Sequence, residues 1–237
     1  MRTSVTISLL VLVCTTALLF FLDSKYLNSK RALTVRVTIP EGSTVKEIND
    51  KLILSGVISQ GGLESSLEGH LFPDTYEFFV PSAIESVRKK FTDNFDAKAM
   101  PLLSGNINAR EVLITASIIE KEVSGSRDRR IVSGIIWKRL RAEFPLQVDA
   151  TICYAKESLP CHPITKGDLM INSPYNTYRN KGLPPAPIAN PGLDAITAAL
   201  RPEKSPYWFY LSDPKTQKTI FSVDLDEHHK NIVKYLN

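Results

Sequence analysis

This chain of 237 residues has only four histidines and three cysteines, and none stands at zinc-site spacing. His228 and His229 are adjacent, while His70 and His162 stand alone. No metal centre is therefore expected. A run of lysines or arginines with interleaved aromatics is also missing, which removes the usual footprint of a nucleic-acid binder. The net charge of +4 tolerates anionic polymers, cell-wall material and lipid headgroups alike, but selects none of them. No internal repeat is evident. What remains is 43% hydrophobic and 23% charged, the profile of a globular protein rather than a disordered one.

Charge is absent from SVTISLLVLVCTTALLFFL, residues 4–22, a run of 19 positions. That is about what a helix needs to cross the hydrocarbon core. A cleaved signal peptide is the competing reading, but Asp23-Ser24-Lys25-Tyr26 offers no small-x-small cleavage site. The expectation is an uncleaved signal anchor and tether over residues 1–32. Val13 precedes Cys14 where lipidation would need a small residue, so Cys14 reads as a thiol within the apolar segment. Flanking charge does not fix the topology, because Arg2 lies on one side and Lys25, Lys30 and Arg31 on the other. Cys153 and Cys161 share one loop; exported, they can pair, and in a cytoplasmic domain they are ordinary thiols.

Beyond the tether, LTVRVTI (33–39) alternates as a half-buried strand, and Ser43 or Thr44 can cap a helix running to about Ser55. Residues 33–60 thus read as a small strand–helix unit near the membrane. LEGHLFPDTYEF (67–78) shows neither helical nor strand periodicity. Helices are expected over 81–97, 108–123 and 127–143. The region after Pro145 holds ten of the chain's 15 prolines and reads as loop-rich. Two short strands, 208–211 and 219–223, then precede a terminal helix from about Asp226. The fold class is α+β, with residues 61–237 forming a mixed domain around a helical centre.

The chemistry concentrates in ITASIIEKEVSG (114–125). Val112, Ala116, Ile119 and Val123 form an apolar stripe, and Ser124-Gly125 stops the helix. Glu120 and Glu122 fall in its last turn, where the helix carries partial negative charge. An acid held there against apolar neighbours resists ionising, as general-acid catalysis requires, while an exposed Glu-Lys-Glu would be an ordinary solvated helix end. In PLQVDAT (145–151), an extended chain would put Gln147, Asp149 and Thr151 on one side, as the wall of a polar groove or as a surface strand. SPYNTYRNKGLPPAPIANPG (173–192) presents Tyr175, Asn176, Thr177 and Tyr178 ahead of a stiff proline run. Aromatic faces and amides of that kind suit sugar rings and hydroxyls.

Five segments together carry a family resemblance: LEGHLFPDTYEF, ASIIEKE, LQVDATICYA, SPYNTYRNKGLPPAPIANPG and FSVDLDEHHK. In this order they resemble the endolytic murein transglycosylases, the MltG or YceG-like family, over roughly residues 37–235. The resemblance implies a single-pass protein of the cell (inner) membrane with an extracytoplasmic catalytic domain. It implies lytic cleavage of the MurNAc–GlcNAc bonds of nascent peptidoglycan, leaving 1,6-anhydro-MurNAc ends and limiting strand length. No metal or organic cofactor is called for. Partners would be glycan strands and penicillin-binding peptidoglycan synthases, with no nucleic acid. The family's acid maps onto Glu122, nearest the helix end. Gln147, Asp149, Tyr175, Asn176 and Tyr178 are the groove candidates. Family members ordinarily carry a longer membrane-proximal region with a LysM-like module than the short stretch here. The rival is a membrane-tethered peptidoglycan-binding or scaffolding protein without turnover.

Overall fold

The computed structural model describes residues 33–156 and 164–236. Two small antiparallel sheets flank a set of helices, so the α+β class holds. The anchor expected over residues 4–22 lies outside the described residues. Among the described residues, no helix is long and apolar enough to cross a membrane.

The first core gathers around strand β1 (Thr34–Thr38) and helix α1 (Val45–Leu54). Thr44 and Glu47 form a reciprocal capping box at the start of α1, which fixes where the helix begins. β1 pairs antiparallel with β2 (Thr75–Phe79), Thr34 opposite Phe79 and Thr38 opposite Thr75. β2 falls in the segment that shows no period in sequence. Tyr76 and Phe78 point inward, but Phe79 keeps an aromatic ring on the exposed face and hides the alternation. Helix α2 (Ile84–Lys98) closes this core with Val87 and Phe91, so the core runs from Val37 to Phe91.

A short helix α3 (Met100–Leu103) leads to α4 (Ala109–Glu122), the centre of the second core. Every residue from Val112 to Ile119 of α4 is buried, so the expected stripe is a helix enclosed on all sides. Helix α5 (Ser126–Arg141) and helix α7 (Leu193–Leu200) pack against it and against each other. Between them in sequence comes α6 (Asp149–Lys156), which overturns the extended reading of PLQVDAT. Gln147 takes a positive φ of 51° and turns the chain, Thr177 accepts the Val148 N–H at 3.0 Å, and a helix starts at Asp149. α7 likewise lies in the region read as loop. Strands β3 (Phe209–Ser212) and β4 (Thr219–Ser222) and helix α8 (Leu225–Tyr235) complete the chain.

Two glycines fix close approaches near the site. Gly69 has φ +87°, and a Cβ there would sit 2.6 Å from Pro187, so the 65–70 loop can lie against the proline run. In α5, a Cβ on Gly134 would fall 2.0 Å from the Glu203 carbonyl oxygen. Cys153, on α6, is disulfide-bonded; the other two cysteines lie outside the described residues.

Candidate active site

The two acids in the last turn of α4 have different surroundings. Glu120 is tied down through both oxygens. Oε1 pairs with Arg129, and Oε2 accepts the Gly192 N–H at 2.9 Å. Its side chain is 4% exposed, and Arg129 also binds Asp194 at 2.9 Å. Glu120 therefore locks α4 to α5 and to the start of α7.

Glu122, the last residue of α4, faces the start of α6. Its Oε1 accepts the Ala150 N–H at 3.3 Å, and the Tyr210 hydroxyl of β3 donates to the same carboxyl. Burial, reinforced by the nearby Asp149 charge, pushes its pKa up from 4.5 to about 7. The two hydrogen bonds and the Arg139 charge pull the other way and only partly offset that rise. The group is thus poised to hold a proton near neutrality and to release it.

Asp149, at the head of α6, accepts a hydrogen bond from the Tyr178 hydroxyl. Burial and the Asp149 bond hold the Tyr178 phenol well above its ordinary range. The Tyr210 phenol is raised by burial and by Glu122, so both tyrosines stay protonated donors. Arg139 donates to the Trp208 carbonyl at 2.9 Å and to the Leu146 carbonyl at 2.6 Å. Its guanidinium is fixed while its charge is felt at Glu122.

Of the groove candidates, Asp149 and Tyr178 gather with Glu122. Gln147 is exposed at the turn before α6, its N–H bonded to the Thr177 carbonyl at 3.2 Å. Asn176 is fully buried. Its amide donates to the Leu169 and Ile171 carbonyls at 3.0 and 2.9 Å and accepts the Tyr178 N–H at 3.0 Å. It braces the loop that presents Tyr178 rather than facing a groove. Tyr175 lies elsewhere, against Tyr154, with ring centroids 4.9 Å apart.

Tyr210 and Arg139 do not stand out in the sequence reading. Arg139 carried a signal: it continues the inward face of α5 marked by Val132, Ile135 and Ile136, where a charge is out of place. Tyr210 carried none beyond its place in a short strand. A second acid is equally hidden in sequence. Glu68, 4% exposed, accepts from the Val45 N–H at 3.1 Å, the Asn190 amide at 2.9 Å and the Tyr154 hydroxyl at 3.3 Å. Burial raises it, too, from 4.5 to about 7.

A helix ending on a half-buried acid, beside a second carboxylate and two phenols, brings together the proton donors and acceptors that acid–base chemistry uses. The chain belongs to the YceG-like family, whose sequence model matches residues 21–234. A Bacillus subtilis (strain 168) protein named endolytic murein transglycosylase is 34% identical over 180 residues, covering 74% of this chain and 49% of that one. A Streptococcus pneumoniae (strain D39) protein of the same name is 31% identical over 194 residues, covering 78% of this chain and 35% of that one. The chain thus spans from about a third to about half the length of these relatives. The crystal structure of a YceG-like protein from Listeria monocytogenes superposes with a TM-score of 0.71 at 31% identity, covering 83% of this chain and 75% of that one.

Proposed function

We propose that this chain is an endolytic peptidoglycan lytic transglycosylase that cleaves MurNAc–GlcNAc bonds and leaves 1,6-anhydro-MurNAc ends. The observation that carries the reading is Glu122: a half-buried helix-terminal acid, raised to about 7, with hydrogen bonds that orient it. Protonated Glu122 delivers its proton to the glycosidic oxygen as the bond to the MurNAc anomeric carbon breaks. Positive charge then spreads over that carbon and the ring oxygen. The Asp149 carboxylate stands close enough to be felt at Glu122 and offers electrostatic support to that charge. Glu122, now a carboxylate held by Ala150, Tyr210 and the Arg139 field, takes the proton of the sugar's own C6 hydroxyl. The C6 oxygen closes on the anomeric carbon, and the acid is regenerated. Protons and bonds balance with no water consumed.

In this reading, Asn176 and Tyr178 position Asp149, Gln147 lies at the rim, and Glu120 is structural. Residues 1–32 are an anchor and tether in the inner membrane, residues 33–60 a membrane-proximal unit, and residues 61–237 the extracytoplasmic catalytic domain. Penicillin-binding synthases are the partners that would supply nascent strands. The test is to incubate the full chain with uncrosslinked glycan strands and read the products by mass. Anhydro ends are expected. Reducing ends would indicate a hydrolase, and binding without products would favour a scaffolding role.

A further inference from the structure

One recess among the described residues lies away from Glu122. It is a cleft of about 630 Å³ between the 65–70 loop, the first turns of α4, the far end of α6 and the proline run. Its size falls within the range of small-ligand sites. Tyr154 and Tyr175 form one wall as a tilted ring pair. Glu68 lies in the wall with its carboxyl fixed by Val45, Asn190 and Tyr154. Arg110 is exposed at the edge and gives one N–H to the Pro185 carbonyl, leaving most of its five donors for a ligand. Ring faces, a fixed carboxyl and one available cation match a sugar ring bearing a carboxylate substituent.

The cleft and the acid are built on the same two helices, α4 and α6. Leu113, in its wall, and Glu122 lie on the same helix, about 13 Å apart along the axis at 1.5 Å per residue. Ala150, whose backbone N–H binds Glu122, and Tyr154, which lines the cleft, are four residues apart on α6, about 6 Å along its axis. A polymer laid along α6 passes from one to the other.

We propose that this cleft is a second sugar-binding site, which takes a carboxylate-bearing unit of the same glycan strand several sugars away from the scissile bond. The inference rests on the glycan-cleaving reading of Glu122. Two grips on one strand, about 13 Å apart along α4, make long strands bind better than short ones and favour cleavage within a strand over trimming at its end.

The test uses the full chain carrying Glu122→Gln, so that strands bind without being consumed, and compares it with Glu122→Gln/Arg110→Ala. Uncrosslinked strands of graded length are the probe, and equilibrium affinity is the readout. Affinity should rise with length until the strand spans both sites. Arg110→Ala should remove about tenfold of that rise, the scale of a lost hydrogen bond to a charged group, while leaving the shortest strands unaffected. A Tyr175→Leu change should flatten the same curve from the opposite wall. Affinity independent of length, or an identical rise with and without Arg110, would overturn the second site. If the unaltered chain still cuts strands in that case, only this inference fails. If it neither binds nor cuts them, the glycan reading fails and takes the second site with it.

Discussion

Arg129 and Glu120 form a buried ion pair, and the same guanidinium reaches Asp194 at 2.9 Å. Two positions further along α4, Glu122 forms no ion pair among the described residues, although the Arg139 charge acts on it. Its neighbours are an N–H, a phenol and a second carboxylate. One turn of helix thus carries one acid fixed as structure and one left poised for protons. Removing one partner of a buried pair leaves the other charge unpaired, which typically costs 3–5 kcal/mol. Arg129→Met should therefore lower unfolding stability by roughly that amount, as read by denaturant titration. A loss below about 1 kcal/mol would show that the pair does not hold the three helices together.

Burial raises three carboxyls, Glu68, Glu120 and Glu122, and the pH dependence is read from the two that reach about 7. Glu122 and Glu68 both move from 4.5 to about 7, so the folded chain holds protons that the unfolded chain has released. Their favourable contribution is complete below about pH 4.5 and is lost by about pH 7, so stability falls as pH rises through that window. Activity should fall above about pH 7, roughly tenfold per unit, as the Glu122 proton is lost. Because Glu68 titrates in the same range, Glu68→Gln is the control. A limb that disappears with Glu68→Gln would assign it to the wrong acid.

Asp149 helps to hold the proton on Glu122 through its charge. Asp149→Asn keeps an acceptor for the Tyr178 hydroxyl but removes that charge. The alkaline limb of the pH–rate profile should move to lower pH, and the rate below the limb should fall as support for the developing sugar cation is lost. A limb that stays put, or moves up, would separate Asp149 from the acid.

Gly134 offers a stability test with an inverted sign. Replacing an interior helix glycine with alanine ordinarily gains up to about 1 kcal/mol. Here the new Cβ would lie 2.0 Å from the backbone oxygen of Glu203, which cannot rotate away. Gly134→Ala should therefore cost about 1–3 kcal/mol, seen as a lowered thermal midpoint. A stabilised variant would mean that the α5–203 contact is looser than described.

The central helix and its terminal acid were legible because burial and chemistry reinforce each other there: apolar residues at helical spacing, then carboxylates, then a stop. The capping pair Thr44 and Glu47 likewise announces α1 through local chemistry. β2 was not legible, because Phe79 puts an aromatic on the solvent face, and its pairing with β1 joins residues 37 to 45 positions apart in sequence. The eight-residue α7 was masked by Pro191-Gly192, which here precede a helix rather than break one. PLQVDAT misled because the turn at Gln147 depends on Thr177, a tertiary partner that no local pattern displays. The same holds for Tyr210 and Glu68, whose roles come from what folds against them.

The most direct measurement is turnover and strand binding by Glu122→Gln, with Glu120→Gln alongside. The substitution keeps the size of the side chain and removes the transferable proton. Loss of general-acid help alone is worth about 10²–10⁴ in rate, and both proton transfers are lost, so turnover should fall to near background while strand binding persists. Glu120→Gln should lose stability through the Arg129 pair yet still produce anhydro ends under conditions where it is folded. Full turnover by a folded Glu122→Gln protein would contradict the assignment outright, and abolition by Glu120→Gln alone would move the acid two residues back along α4.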